Sequence, residues 1–147
     1  MLRASVQMSH GQFYLNLLKF TVGNYIQNNE IEPKIVQKCI VEFKELDIEW
    51  PQIKDIKSPA EAVQIFKLGN TQIQRAMKFF VVDGHCTEHI RLAQMLSKLY
   101  KQLQLIETDG ERLYALYQRR IDLLGPLLSD INPSVYYNFV QEMQVEF

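Results

Sequence analysis

Residues Ile106–Pro133 read IETDGERLYALYQRRIDLLGPLLSDINP. The segment opens with a helix start, runs through an amphipathic stretch, stumbles at Gly125-Pro126 and ends on a second helix start. Thr108-Asp109-Gly110-Glu111 has the spacing of a capping box. There, a threonine hydroxyl serves the backbone of the first turn and a glutamate three residues on reaches back. Asn132-Pro133 is an N-cap followed by a proline at the first helical position, where the missing N–H costs nothing. Ile131 and Tyr136 are spaced to staple that start.

At about 100° per residue, Leu113, Leu116, Tyr117, Ile121 and Leu124 share one arc. Arg120 falls inside this arc and Arg119 well outside it. Arg119 is therefore expected on the surface, paired with Asp122 three residues on. Arg120 has three readings: a bridge to oxygens of a neighbouring helix, a lining residue of a groove that a partner fills, or a stem that carries its head out to water. Gly125-Pro126 deprives the Asp122 carbonyl of its helical partner, so a kink or split is expected there.

The same grammar extends along the chain. Ser58-Pro59-Ala60-Glu61 is a further capping box with proline at the first position. Apolar residues recur at three and four, which predicts helices near 11–28, 33–47, 59–82, 87–106, 109–130 and 133–147. Ala62, Phe66, Ile73, Met77 and Phe80 hold one phase across Gly69-Asn70, favouring one continuous helix. Leu92, Leu96, Leu99 and Leu103 form a stripe with Arg91, Lys98 and Lys101 opposite. No strand pair competes, so the fold class is all-α. Wide apolar arcs and short connections predict antiparallel helical hairpins stacked as a single α-solenoid-like region over 1–147. The final SVYYNFVQEMQVEF carries apolar residues to its end without a capping glycine, which suggests a piece of a longer array.

Composition narrows the function. Sixteen basic and seventeen acidic side chains argue against a general nucleic-acid binder, which needs a basic excess. No window approaches about 18 consecutive apolar residues, so no membrane insertion is expected. Two cysteines, Cys39 and Cys86, make no disulfide framework and point to a reduced, cytoplasmic setting. MLRASVQMSHGQFYLNLLKF lacks acids and faintly resembles a transit peptide, but the start of a helical domain is the preferred reading. Asp83, His85, Cys86 and His89 are the one cluster of metal-ligand residue types. A helix junction explains them better than a zinc site, because His10 and Cys39 lack motif spacing. Glycine-rich phosphate loops and nucleophile motifs are missing, so neither an enzyme, nor a cofactor, nor a small-molecule substrate is expected. The acidic run Glu42, Glu45, Asp47 and Glu49 reads as a solvated helix end or as an acidic contact patch.

From about Phe79 onward, FFVVDGHCTEHIRLAQMLSKLYKQL, IETDGERLYALYQRRIDLLGPLLSDINPSVYY and QEMQVEF resemble the C-terminal half of the kinesin-binding protein family, a tetratricopeptide-type family. Asp83-Gly84, Glu107-Thr108-Asp109, Arg119-Arg120-Ile121 and Asn132-Pro133 are among the matching points. His85-Cys86, Gly110 and Gly125 depart from the family pattern, and residues 1–70 do not align. The resemblance implies a solenoid that captures kinesin motor domains and blocks their attachment to microtubules. It further implies a cytoplasmic, cytoskeleton-associated protein of organelle and axonal transport, with links to mitochondria and neuronal development. Since a motor's microtubule-facing surface is basic, its captor should present carboxylates; Glu107, Asp109 and Glu111 are the candidates, against a reading in which they only cap a helix. Thr108, Arg119, Arg120, Asp122, Asn132, Pro133 and Tyr136 are expected to hold the scaffold. The rival readings are a helical-repeat scaffold with no motor partner and a small metal-dependent helical enzyme.

Overall fold

The computed structural model describes residues 1–27 and 59–146. The expected helix at 33–47, together with Cys39, the acidic run at 42–49 and Ser58, lies outside them. Five helices make up the described residues: α1 Leu2–Gln27, α2 Pro59–Met77, α3 Val82–Gln104, α4 Gly110–Asp130 and α5 Tyr137–Glu146. The all-α reading holds, and the helices stack in chain order, each against its predecessor, with α1 also touching α3.

Close approach of α1 and α2 is built on glycine. A Cβ at Gly11 would lie 2.6 Å from Cγ1 of Ile73, and one at Gly69 would lie 3.0 Å from Cβ of Tyr14. Only hydrogen fits at the first point, because Ile73 is itself fully buried. Residue numbers rise along α1 as they fall along α2 in these contacts, so the two helices are antiparallel. The same logic sets α3 against α2: Gly69 faces Leu99, and Phe66 meets Tyr100 at a ring separation of 5.2 Å.

Two small cores lie in series instead of one central core. Leu15, Leu18, Val22, Phe66, Ile73, Leu92, Leu96 and Leu99 fill the first, between α1, α2 and α3. Ile90, Ala93, Leu124, Leu127, Ile131 and Met143 fill the second, between α3, α4 and α5. Leu123 and Met77 touch both. The helix shared by the two cores is α3, which is why every residue from Leu92 to Ser97 is buried. A helix enclosed on opposite faces is the signature of a stack whose neighbours supply each other's core.

Boundaries moved in four places. The first helix starts at Leu2, well before the expected start at Gly11, because Ala4, Met8 and Gly11 continue the stripe of Leu15, Leu18 and Val22. Helix α2 ends at Met77 instead of 82: a tight turn in which Phe79 and Phe80 both donate to the Ala76 carbonyl swings Phe80 into the core. The next helix begins at Val82 with a break at His85 (φ −143°, ψ 51°), so regular helix resumes at Cys86, as the junction reading anticipated. The last helix begins at Tyr137, because Asn132 does not cap it. The Asn132 side chain accepts from the Ser134 N–H at 2.9 Å, and its carbonyl accepts from Val135 and Tyr136, closing a separate turn first.

Of the kink or split expected at Gly125-Pro126, the split is absent: α4 is continuous from Gly110 to Asp130, with Pro126 inside it. The residue before a proline is normally driven from the helical region by a clash with its Cβ. Glycine has none, and this lets Pro126 stay in the helix while the Asp122 carbonyl loses its N–H partner.

Candidate interaction surface

The corner between α3 and α4 gathers the three candidate carboxylates, and they do different things there. Glu107 is half-buried; its Oε1 accepts from the N–H groups of Thr108 and Asp109, each at 3.0 Å. Asp109, not Thr108, is the N-cap of α4: its Oδ1 accepts from the Arg112 N–H at 2.9 Å. The cap shifts by one residue because Glu107 has already claimed the amide preceding it, and a carboxylate at the positive end of a helix is favoured over a hydroxyl. Glu111 is exposed and pairs with neither. The corner therefore offers Glu111 and the outer oxygen of Asp109 to solvent, with exposed Leu105 beside them.

Behind the corner lies a cleft of about 1000 Å³ between the end of α1, the start of α2 and the first half of α4. Val63, Leu103, Ile106 and Leu116 give it apolar walls, and Glu107, Arg112 and Arg119 put charge on them.

Arg120 is buried, with 6% of its surface exposed. From α4 it donates through Nε to the Ser97 hydroxyl at 3.1 Å and through a terminal nitrogen to Oε1 of Gln104 at 2.9 Å. It engages at least one further group. Both named oxygens belong to α3, so the guanidinium fork ties the two helices where a leucine would only fill space. Arg119 does not pair with Asp122. Its guanidinium lies 6.0 Å from the Tyr100 ring centre, while Asp122 accepts from Gln118 at 2.8 Å. A stacked guanidinium on a half-buried ring retains its solvent contact, and the glutamine one turn back is the nearer partner for the aspartate.

The residues with metal-ligand chemistry are turned to other tasks. Nδ1 of His89 donates to the Phe80 carbonyl at 2.7 Å, satisfying the end of the α2–α3 turn. The His85 ring lies against Phe79 and Phe80 at 5.8 and 5.2 Å. Cys86 meets the hydroxyl of Tyr136 and, first by that hydrogen bond and then by its charge, pushes the phenol above its usual range. No three His, Cys, Asp or Glu side chains converge among the described residues. Tyr136 thus links α3 to the turn before α5, packing against the second core beside Phe139. Pro133 is exposed in that turn.

Sequence reasoning missed two sets of residues. Gln94 is buried and donates to Glu142 at 2.9 Å, joining α3 to α5. On the outer face of α4, Tyr114, Tyr117 and Ile121 are 70%, 50% and 46% exposed, although Tyr117 and Ile121 belong to the arc expected to face the core. The wheel gave one apolar arc; packing uses only its Leu116, Leu124 and Leu127 side.

The profile of the family described as KIF-1 binding protein C terminal matches residues 12–147, well beyond the 79–147 segment that carries the resemblance by eye. KIF-binding protein of Gallus gallus is 42% identical over 86 residues, and that of Homo sapiens 41% over 86; each alignment takes in 58% of this chain and 14% of the relative. KIF-binding protein of Dictyostelium discoideum is 23% identical over 88 residues, 60% of this chain and 14% of the relative. The matched segment is thus a small part of these longer proteins. No solved structure matches. A profile spanning α1 through α5, with the helix junctions above inside it, leaves one conclusion: the chain belongs to the KIF-1 binding protein C-terminal family.

Proposed function

We propose that this chain is a non-enzymatic interaction module that binds kinesin motor domains and blocks their attachment to microtubules. The observation that carries the reading is the family match over residues 12–147, together with relatives named for binding KIF proteins. The corner chemistry supports it. A surface that docks on acidic tubulin is basic, and a competitor for it needs outward carboxylates beside apolar anchors. Glu111, the free oxygen of Asp109 and Leu105 are of that kind, with Glu107 holding the loop that presents them. On this reading the module works in the cytoplasm beside the cytoskeleton, uses no cofactor, and acts in microtubule-based transport by steric competition.

The test is co-sedimentation of a purified kinesin motor domain with microtubules, with and without the chain. The motor is expected to leave the pellet as the chain is added, and Asp109→Asn with Glu111→Gln is expected to weaken the effect. Motor pelleting that is unchanged at saturating chain would refute the proposal.

A further inference from the structure

The outer face of α4 has chemistry of its own. Tyr114, Tyr117 and Ile121 stand at i, i+3 and i+7, each with about half or more of its surface exposed. On an α-helix that spacing makes one continuous strip. On the same side a Cβ placed at Gly125 would meet nothing within 4 Å, so the strip is open along its length.

Charge along the strip is one-sided. Around the helix axis, Gln118, Glu111 and Asp122 all fall within a quarter-turn of Tyr114 and border the strip. Arg119 and Arg112 lie farther round on the same side, beyond the acids, and Arg119 is turned to Tyr100. Among the charged residues of α4 itself, the Glu111 and Asp122 carboxylates therefore lie nearer the tyrosines than either exposed arginine does.

Size narrows the occupant further. The three side chains expose on the order of 350 Å², less than half of the roughly 800 Å² that each partner contributes to a stable interface. A second copy pressing the same face would bury too little and would set carboxylates against carboxylates. A single amphipathic helix with a basic flank fits better: it is recognised through a few anchors at i, i+3 and i+7, which suits a strip this small, and it brings no carboxylates against Glu111 and Asp122.

We propose that the Tyr114–Tyr117–Ile121 face of α4 is a docking strip for a basic amphipathic helix. Tyrosines supply rigid contact area at small entropic cost and form the anchors. Glu111 and Asp122 select lysine or arginine on the flank. The strip requires only this partner chemistry and goes beyond the motor reading, since no motor is needed to fill it.

The probe is a fluorescein-labelled leucine–lysine amphipathic helix of roughly 20 residues, about as long as α4, with a leucine–glutamate version as control. Anisotropy titrations use the full 147-residue chain. The lysine peptide is expected to bind at least about tenfold more tightly than the glutamate peptide, and rising salt is expected to narrow the gap. Tyr114→Ser with Tyr117→Ser is expected to weaken binding about tenfold or more. Glu111→Gln with Asp122→Asn should weaken it severalfold and flatten the salt dependence. These positions are exposed, and unchanged melting curves will show that the fold survives. Equal affinity for the two peptides, undiminished binding by the double serine variant, or no binding at all overturns the proposal. So does a dimer of the wild-type chain in sedimentation that the double serine variant abolishes, because the occupant would then be a second copy.

Discussion

Truncating Arg120 to alanine tests the α3–α4 tie most directly. The guanidinium is 6% exposed and holds the Ser97 hydroxyl and the Gln104 carbonyl oxygen. Ser97 is fully buried, and the other end of Gln104, its Nε2, is already buried without a partner. Arg120→Ala would then leave both polar ends of Gln104 unserved and a buried hydroxyl unpaired, besides opening a void where the arginine stem lay. A hydrogen bond from a charged donor contributes about 1.5–3 kcal/mol, and an abandoned buried partner costs about 1–3 kcal/mol. These contributions overlap, since the same two bonds are counted from both ends, and about 2–4 kcal/mol is expected in all. For a chain of this size that lowers the melting temperature by roughly 5–12 °C. Arg119→Ala, which removes only an exposed ring contact, should cost less than about 1 kcal/mol. Urea and thermal unfolding followed by helical circular dichroism measure both. Arg120→Met, which keeps the stem and drops the fork, should fall between them, because it spares the packing but not the oxygens. Coincident curves for the Arg119 and Arg120 alanine variants would refute the reasoning.

Gly11→Ala places a methyl 2.6 Å from Ile73 Cγ1, an atom near the backbone of a fully buried side chain. The gain in helix propensity, about 1 kcal/mol, is outweighed by overpacking of about 1–3 kcal/mol, so chemical denaturation should show a net loss. Asp109→Ala should destabilise by about 1 kcal/mol through loss of the α4 cap while Thr108→Ala changes little; the reverse order in urea melts would return the cap to Thr108. Alkaline pH provides a separate test. Burial raises the phenol of Tyr14, and the Cys86 contact, more than any other influence, raises that of Tyr136. A group whose folded pKa is raised contributes stability that is complete below its unfolded value, near 10 for tyrosine, and is lost as pH climbs through the folded value. Unfolding free energy should therefore decline above about pH 10, and Tyr14→Phe with Tyr136→Phe should make the decline shallower. An unchanged slope in the double variant would count against both contacts.

Helix content, the phase of α2 across Gly69 and the existence of a junction between α2 and α3 were all legible in the residue pattern, because periodicity of three and four reports burial directly. The α4 cap and the start of α5 were legible only to within a turn. Each start offered more than one polar side chain able to serve the same amides, and the choice between Thr108 and Asp109, or between capping a helix and closing a turn at Asn132, depends on what the neighbouring carboxylate or carbonyl has already taken. The carboxylates at 107, 109 and 111 were visible as a set, but their division of labour was not: one holds the loop, one caps, and one is left facing out.

By itself, the order of residues determined that this chain forms antiparallel helices with apolar faces and that Arg120 sits on an apolar arc, where its charge must find oxygens or reach water. Those are local consequences of spacing and of the cost of burying a charge. Tertiary structure alone decided which side of each apolar arc is covered. On α4 the leucines at 124 and 127 turn to α3 and α5, the leucine at 116 lines the cleft with Val63 and Leu103, and the tyrosines at 114 and 117 are left outside. A helical wheel ranks residues around one axis and carries no information about where the next axis lies. That position is set by contacts distant in sequence, such as Gly11 against Ile73, Arg120 against Ser97 and Gln94 against Glu142.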